Sequence, residues 1–174
     1  MNMIHAKRIV FNVNTILIFL LVLSSDVSAK KVIGWVENVR VTPGDVVIKA
    51  KIDTGADSSS LHCDCLKTYD RDGERWARFS ITDVNDNTVS VEKKIIRQVK
   101  IKRHFGDEQV RDVVRIGICI DDQYEETDVS LIDRSGLNYS MLIGRKYLKG
   151  KFIVDPSRTF MQKPHCEKVK DNSE

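Results

Sequence analysis

A chain of 174 residues with 41% hydrophobic and 30% charged residues has room for one domain with a buried core and little more. Its 28 basic and 25 acidic residues are interspersed and leave a formal net charge of +3, so no nucleic-acid footprint stands out. The apolar run Thr15 to Leu23 holds nine residues, well short of the about 20 needed to span a bilayer.

That run follows a positive stretch containing His5, Lys7 and Arg8 and precedes the small-residue site Val27-Ser28-Ala29. The pattern is that of a secretory leader cleaved after Ala29. The expected organisation is therefore a leader over 1–29, a folded domain over 30–162 and a polar, frayed tail over 163–174. The expected location is outside the cytoplasm, in the periplasm, with membrane contact only through the leader. Export would place Cys63, Cys65, Cys119 and Cys166 where disulfides persist. Four cysteines allow three pairings, and Cys63 and Cys65 stand too close for an easy mutual bridge.

In chain order, Lys31 to Val41 reads as a first strand, and Pro43-Gly44-Asp45 as a turn. Val46 to Ile52 alternates, with Val46, Ile48, Ala50 and Ile52 on one face and Val47, Lys49 and Lys51 on the other. The two strands form a hairpin that delivers Asp53 at its end. His62 to Arg75 is read as a polar segment closing at Asp72-Gly73, and Trp76 to Thr82 as a strand. After the turn Asp83 to Thr88, strands are expected within Val89–Ile101, over Val110–Ile120 and over Thr127–Ile132. Met141 to Lys149 begins as a strand and turns helical after Gly144, and Phe152 to Val154 is a last strand ended by Asp155-Pro156. About eight short strands with turns between them predict an all-β closed barrel with one short C-terminal helix.

The chemistry centres on Asp53-Thr54-Gly55, a carboxylate at the end of a strand. A tripeptide of common turn formers carries little information by itself. Its surroundings, Lys49 to Ala56 with Ser60-Leu61-His62, then Met141-Leu142-Ile143-Gly144-Arg145 and Val154-Asp155-Pro156, resemble the retropepsins. The resemblance is closer still to the RimB-like bacterial proteins labelled ATP-dependent zinc proteases and linked to RimK-type ATP-grasp ligases. It spans about Ile33 to Phe160.

The resemblance implies an acid-protease barrel acting on a peptide or protein substrate, without a cofactor. Such an enzyme needs two carboxylates sharing one proton. The chain has one Asp-Thr-Gly, and Asp133-Arg134-Ser135-Gly136 is interrupted by an arginine. A homodimer with one Asp53 from each subunit is therefore expected. In the implied roles, Thr54 braces the two loops across the axis and Gly55 lets the backbone approach the carboxylates. Ala56, Asp57 and Ser58 meet the substrate, and Gly144 and Arg145 give support, with Arg145 pairing to Asp57. Pepsin-like enzymes usually carry a hydroxyl at the position of Ala56, so its absence implies activity nearer neutral pH. The candidate substrate flap is a hairpin tipped by Phe105 and Gly106.

Alternative readings are a non-catalytic peptide-binding or scaffold module on the same barrel and a zinc-dependent hydrolase. The second would use His62, Cys63 and Cys65, completed by His165-Cys166, a set without a second closely spaced cysteine pair. Ser58, Ser59 and Ser60 lack the surroundings of a serine nucleophile and read as solvated surface. No glycine-rich phosphate loop supports ATP binding by this chain.

Overall fold

The computed structural model describes residues 29–101 and 108–166, apart from the side chain of Cys65. The leader and the candidate flap at Phe105 and Gly106 lie outside the described residues.

The described residues form ten strands: β1 (Lys31–Thr42), β2 (Val46–Ile52), β3 (Ser59–His62), β4 (Asp64–Arg71), β5 (Glu74–Thr82), β6 (Thr88–Ile101), β7 (Gln109–Ile120), β8 (Gln123–Ile132), β9 (Met141–Ile143) and β10 (Phe152–Thr159). One short helix, α1 (Arg145–Leu148), stands between β9 and β10. The strand order is β10-β1-β2-β9-β3-β8-β7-β6-β5-β4, and β7 returns to pair with β1 at Arg40 to Thr42. That return closes β1, β2, β9, β3, β8 and β7 into a six-stranded barrel, as expected. The β4–β5–β6 sheet extends beyond β7, and its Ala77, Phe79, Ile81, Val91 and Ile95 join the same buried cluster as the barrel interior.

Period-two alternation positions the strands as the sequence indicates. Val46, Ile48, Ala50 and Ile52 are buried, while Val47, Lys49 and Lys51 are half-buried or exposed. The β1–β2 hairpin forms with Val36 opposite Lys51 and Val41 opposite Val46.

Three regions differ from expectation. The polar segment after His62 is β4, an edge strand paired to β5 from Asp64 to Arg71. Its outward residues are polar because only one side of this sheet meets the core. β10 does not stop at Asp155-Pro156 but runs to Thr159, pairing Gly34 with Asp155 and Val36 with Thr159 across an irregularity. Proline is tolerated there because β10 is an edge strand broken by a bulge. Gly34 is required, since a Cβ at this position would stand 2.4 Å from the Arg158 carbonyl oxygen. Finally, the expected frayed tail is anchored over its first residues, 163–166, by a Cys119–Cys166 disulfide and by the His165 amide donating to the Asp121 carbonyl at 2.7 Å. Cys63 is unbridged and buried, and burial pushes its thiol up to about 11.

Glu37 is wholly buried and organises this C-terminal end. Its carboxylate accepts from the amides of Gly34 (2.6 Å), Met161 (3.1 Å) and Gln162 (3.1 Å). Leaving buried donors without an acceptor costs about 1–3 kcal/mol each. Glu37→Ala is therefore expected to lower unfolding free energy by about 1–3 kcal/mol in urea denaturation, and Glu37→Gln, which keeps one acceptor oxygen, by less.

Candidate active site

The site begins where β2 ends. Parallel pairing sets Ala50, Lys51 and Ile52 beside Met141, Leu142 and Ile143. The Asp53 amide extends that ladder by donating to the Ile143 carbonyl at 2.9 Å. The chain then turns over its own carboxylate, with Asp53 Oδ1 accepting from the amides of Gly55 (2.9 Å) and Ala56 (3.2 Å). One carboxylate oxygen is thus fixed by the backbone. The other, Oδ2, lies 3.9 Å from Lys51 Nζ, and the side chain is 26% exposed. Thr54 and Gly55 are exposed and Ala56 half-buried.

The second motif braces this loop from behind. Gly144 N donates to the buried Ser59 Oγ at 3.2 Å. Gly144 packs so closely that a Cβ would stand 2.6 Å from the Ser58 carbonyl carbon and oxygen. The first two residues of α1 then hold the loop by their amides, Arg145 to the Ala56 carbonyl (2.9 Å) and Lys146 to the Asp57 carbonyl (3.0 Å). Arg145 adds its guanidinium, with Nη1 donating to the carbonyls of Thr54 (3.1 Å) and Gly55 (2.7 Å).

Arg145 therefore supports the loop chiefly through backbone oxygens. Its distance to the Asp57 carboxylate is 3.8 Å, whereas Lys146 Nζ approaches the same carboxylate to 2.7 Å. The Lys146 ammonium, with Arg145 adding to it, holds the Asp57 carboxyl below the usual carboxylate range. The bidentate Asp57–Arg145 fork expected from the sequence is not formed. A side chain committed to two carbonyls cannot also lie flat against Asp57.

The serine run behaves differently from its sequence reading. Ser58 is half-buried, while Ser59 and Ser60 are buried in β3 at 2% and 5% exposure. The signal was available in Ser-Ser-Leu before a half-buried histidine, but three serines after a turn masked the strand. Ser60 Oγ accepts from Arg134 Nη1 at 3.2 Å, and Arg134 Nε donates to the Tyr139 carbonyl at 3.0 Å. Arg134 lines a cleft of about 420 Å3 with Trp35, Lys51, Leu137, Tyr139 and Leu142. Burial pushes its guanidinium down from its ordinary value, and the Asp53 charge acts in the opposite direction. The loop around Arg134 thus supplies a wall near Asp53 rather than a second catalytic carboxylate. Asp133 is 78% exposed and caps its own turn by accepting from the Ser135 amide at 2.9 Å.

Of the alternative metal set, His62, Cys63, His165 and Cys166 have other partners or surroundings, and the side chain of Cys65 lies outside the described residues. His62 Nδ1 accepts from the Arg134 amide at 2.8 Å, and Nε2 lies 3.0 Å from Asp64 Oδ1. Both ring nitrogens are thereby engaged, and Cys63 alternates inward into the core. His165 and Cys166 are held at Asp121 and Cys119. Among the described residues no group of three His, Cys, Asp or Glu side chains is placed to hold a metal ion.

A closed β-barrel whose Asp-Thr-Gly loop is braced by an Ile-Gly-Arg turn and a short helix defines the retropepsin-like class. The chain belongs to the RimB-like family, described as retropepsin-like aspartic endopeptidase RimB, whose model matches residues 32–165. Relatives include a probable alpha-L-glutamate ligase of Desulfotalea psychrophila, 30% identical over 141 residues, which cover 78% of this chain and 30% of the ligase. Another of that name, from Shewanella pealeana, is 31% identical over 120 residues, covering 67% of this chain and 26% of the ligase. The chain thus spans less than a third of the length of these relatives. A solved structure of a Legionella pneumophila protein of unknown function is 29% identical, with a TM-score of 0.66 over 78% of this chain and 100% of that one.

The tight seat of Gly144 gives a direct check. Gly144→Ala must push Ser58 away or displace α1, an overpacking change costing about 1–3 kcal/mol. Its unfolding midpoint is expected to fall, and the Arg145 and Lys146 amides to exchange faster with solvent.

Proposed function

We propose that this chain is an exported aspartic endopeptidase, active as a homodimer in which two Asp53 carboxylates share one proton. The observation that carries the reading is the Asp53 loop itself. Backbone amides fix Oδ1, Oδ2 makes no such bond and lies 3.9 Å from Lys51 Nζ, and the opening of α1 braces the loop from behind. Pre-organisation of this kind is what acid–base catalysis at a carboxylate requires.

In this mechanism the ionised member of the pair takes a proton from water as the water attacks the scissile carbonyl. The protonated member donates to the carbonyl oxygen. Collapse of the tetrahedral intermediate then returns a proton to the leaving amine. Thr54, exposed in the single chain, would brace the partner loop across the two-fold axis. Ala56 and Ser58 would line the substrate beside Asp57. The Cys119–Cys166 bridge supports an exported, periplasmic setting, because disulfides persist in oxidising compartments. The ligase names of the relatives support a working link to an ATP-grasp ligase system, with this chain as the hydrolytic partner.

Asp53→Asn is expected to reduce peptide hydrolysis by about a thousandfold or more, with the fold retained by circular dichroism. Retroviral-protease or pepstatin-like inhibitors should block the wild type, and EDTA should leave it active. Hydrolysis that survives Asp53→Asn but is lost in EDTA would overturn the reading in favour of a metal hydrolase. A strict monomer by sedimentation at active concentrations would leave a peptide-binding module.

A further inference from the structure

Lys146 holds Asp57 twice, through its backbone amide to the Asp57 carbonyl at 3.0 Å and through Nζ to Oδ2 at 2.7 Å. Its neighbour cannot readily take over, since Arg145 Nη1 is bound to the carbonyls of Thr54 and Gly55 and Nη2 stands 3.8 Å from Asp57 Oδ1. The Asp57 side chain remains 62% exposed. It borders a cleft of about 710 Å3 with Thr54, Arg145, Lys146, Phe152 and Val154. Among the described residues Asp57 is the one acid lining this cleft, with Lys30 and Lys149 as further cations.

We propose that Lys146 is a positioning residue for substrate: its ammonium fixes the Asp57 carboxylate in the orientation and charge state that accepts a hydrogen bond from a substrate main-chain N–H. This rests on the endopeptidase reading above, with Asp57 as the residue meeting the substrate backbone. A carboxylate is an acceptor only when ionised, and protonation converts one oxygen into a donor that opposes an N–H. The charge state of Asp57 therefore decides whether it can bind a peptide backbone.

The sign follows from the contacts. The hydrogen bond from Lys146 is the largest influence and lowers the Asp57 titration, Arg145 lowers it further, and partial burial opposes both. Binding through Asp57 is then present at neutral pH and is lost only as pH falls through this depressed value. Without Lys146 the loss should come at higher pH, nearer the ordinary value of 3.8. An exposed ion pair contributes little to folding, so its removal should be read in binding rather than in stability.

The test uses a blocked peptide selected from a random-sequence library, by cleavage or by retention on the Asp53→Asn protein. Through the lost orientation of Asp57, Lys146→Met is expected to raise KM, and the Kd measured on Asp53→Asn protein, about tenfold at neutral pH, with kcat within about twofold. Lys146→Arg should restore most of the affinity. In an Asp57→Asn background Lys146→Met should add nothing further. Carbon NMR should show the Asp57 carboxyl titrating at higher pH in Lys146→Met. Unchanged KM and Kd in Lys146→Met, or an equal loss in the Asp57→Asn background, would overturn the proposal. Failure of the endopeptidase reading would appear separately, as turnover retained by Asp53→Asn. The peptide Kd and the Asp57 titration would still decide the role of Lys146.

Discussion

The candidate site depends on the contact between the two motif segments: the parallel seam of β2 with β9, and the bonds that Gly144, Arg145 and Lys146 send into residues 54–59. The seam places the end of β2 level with Ile143. Immediately beyond it, Gly144 donates to Ser59, and the next two amides donate to the carbonyls of Ala56 and Asp57. A loop of small and polar residues has no hydrophobic reason to keep one shape. Here its carbonyls are acceptors for the opening turn of α1, so the loop and the helix terminus satisfy each other. The closeness of Gly144 to Ser58 leaves little room for either segment to move alone.

The rest of the barrel can be understood as support for that seam. Tyr147 and Leu148 anchor α1 in the core, and Tyr147 Oη donates to the carbonyls of Ile118 (3.2 Å) and Gln123 (2.8 Å) across the β7–β8 turn. The same region carries Cys119, bridged to Cys166, and Asp121, which meets Lys31 at the start of β1. Glu37 in turn fixes the segment after β10 to β1. The helix behind the site, the barrel closure and the C-terminal strap are therefore mechanically continuous. The face carrying Thr54 and Asp57 stays open, which is where the proposed chemistry needs a substrate and a second chain.

The division of labour between Arg145 and Lys146 sharpens the site. Arg145 secures backbone oxygens of the loop, leaving the Asp57 carboxylate to Lys146. A planar guanidinium suits two adjacent carbonyls, while a compact ammonium on a flexible stem suits a single exposed carboxylate. Across the Asp53 loop, Arg134 is tied to Ser60 and Tyr139 and so shapes the neighbouring cleft. Cations thus stand on both sides of the loop that bears Asp53, at Lys51 and Arg134 and at Arg145 and Lys146.

Much of this was legible in the sequence. Alternation in Val46–Ile52, the turn at Pro43–Asp45 and the apolar Met141–Ile143 indicate a hairpin ending at Asp53 and a separate apolar strand, because period-two burial depends only on local order. The motif resemblance also implied that Asp53-Thr54-Gly55 supplies half of a carboxylate pair, which the proposed homodimer would complete. What residue order could not decide was set by partners distant in the chain. Ser59 and Ser60 are buried because β8 and β9 flank them, and β4 is a strand because β5 offers it an edge. Cys119 finds Cys166 because the C-terminal strap returns past Asp121. Asp57 is met more closely by Lys146 (2.7 Å) than by Arg145 (3.8 Å) because the loop carbonyls also hold the guanidinium. Local periodicity determined which faces turn inward, and long-range hydrogen bonding decided which polar groups meet.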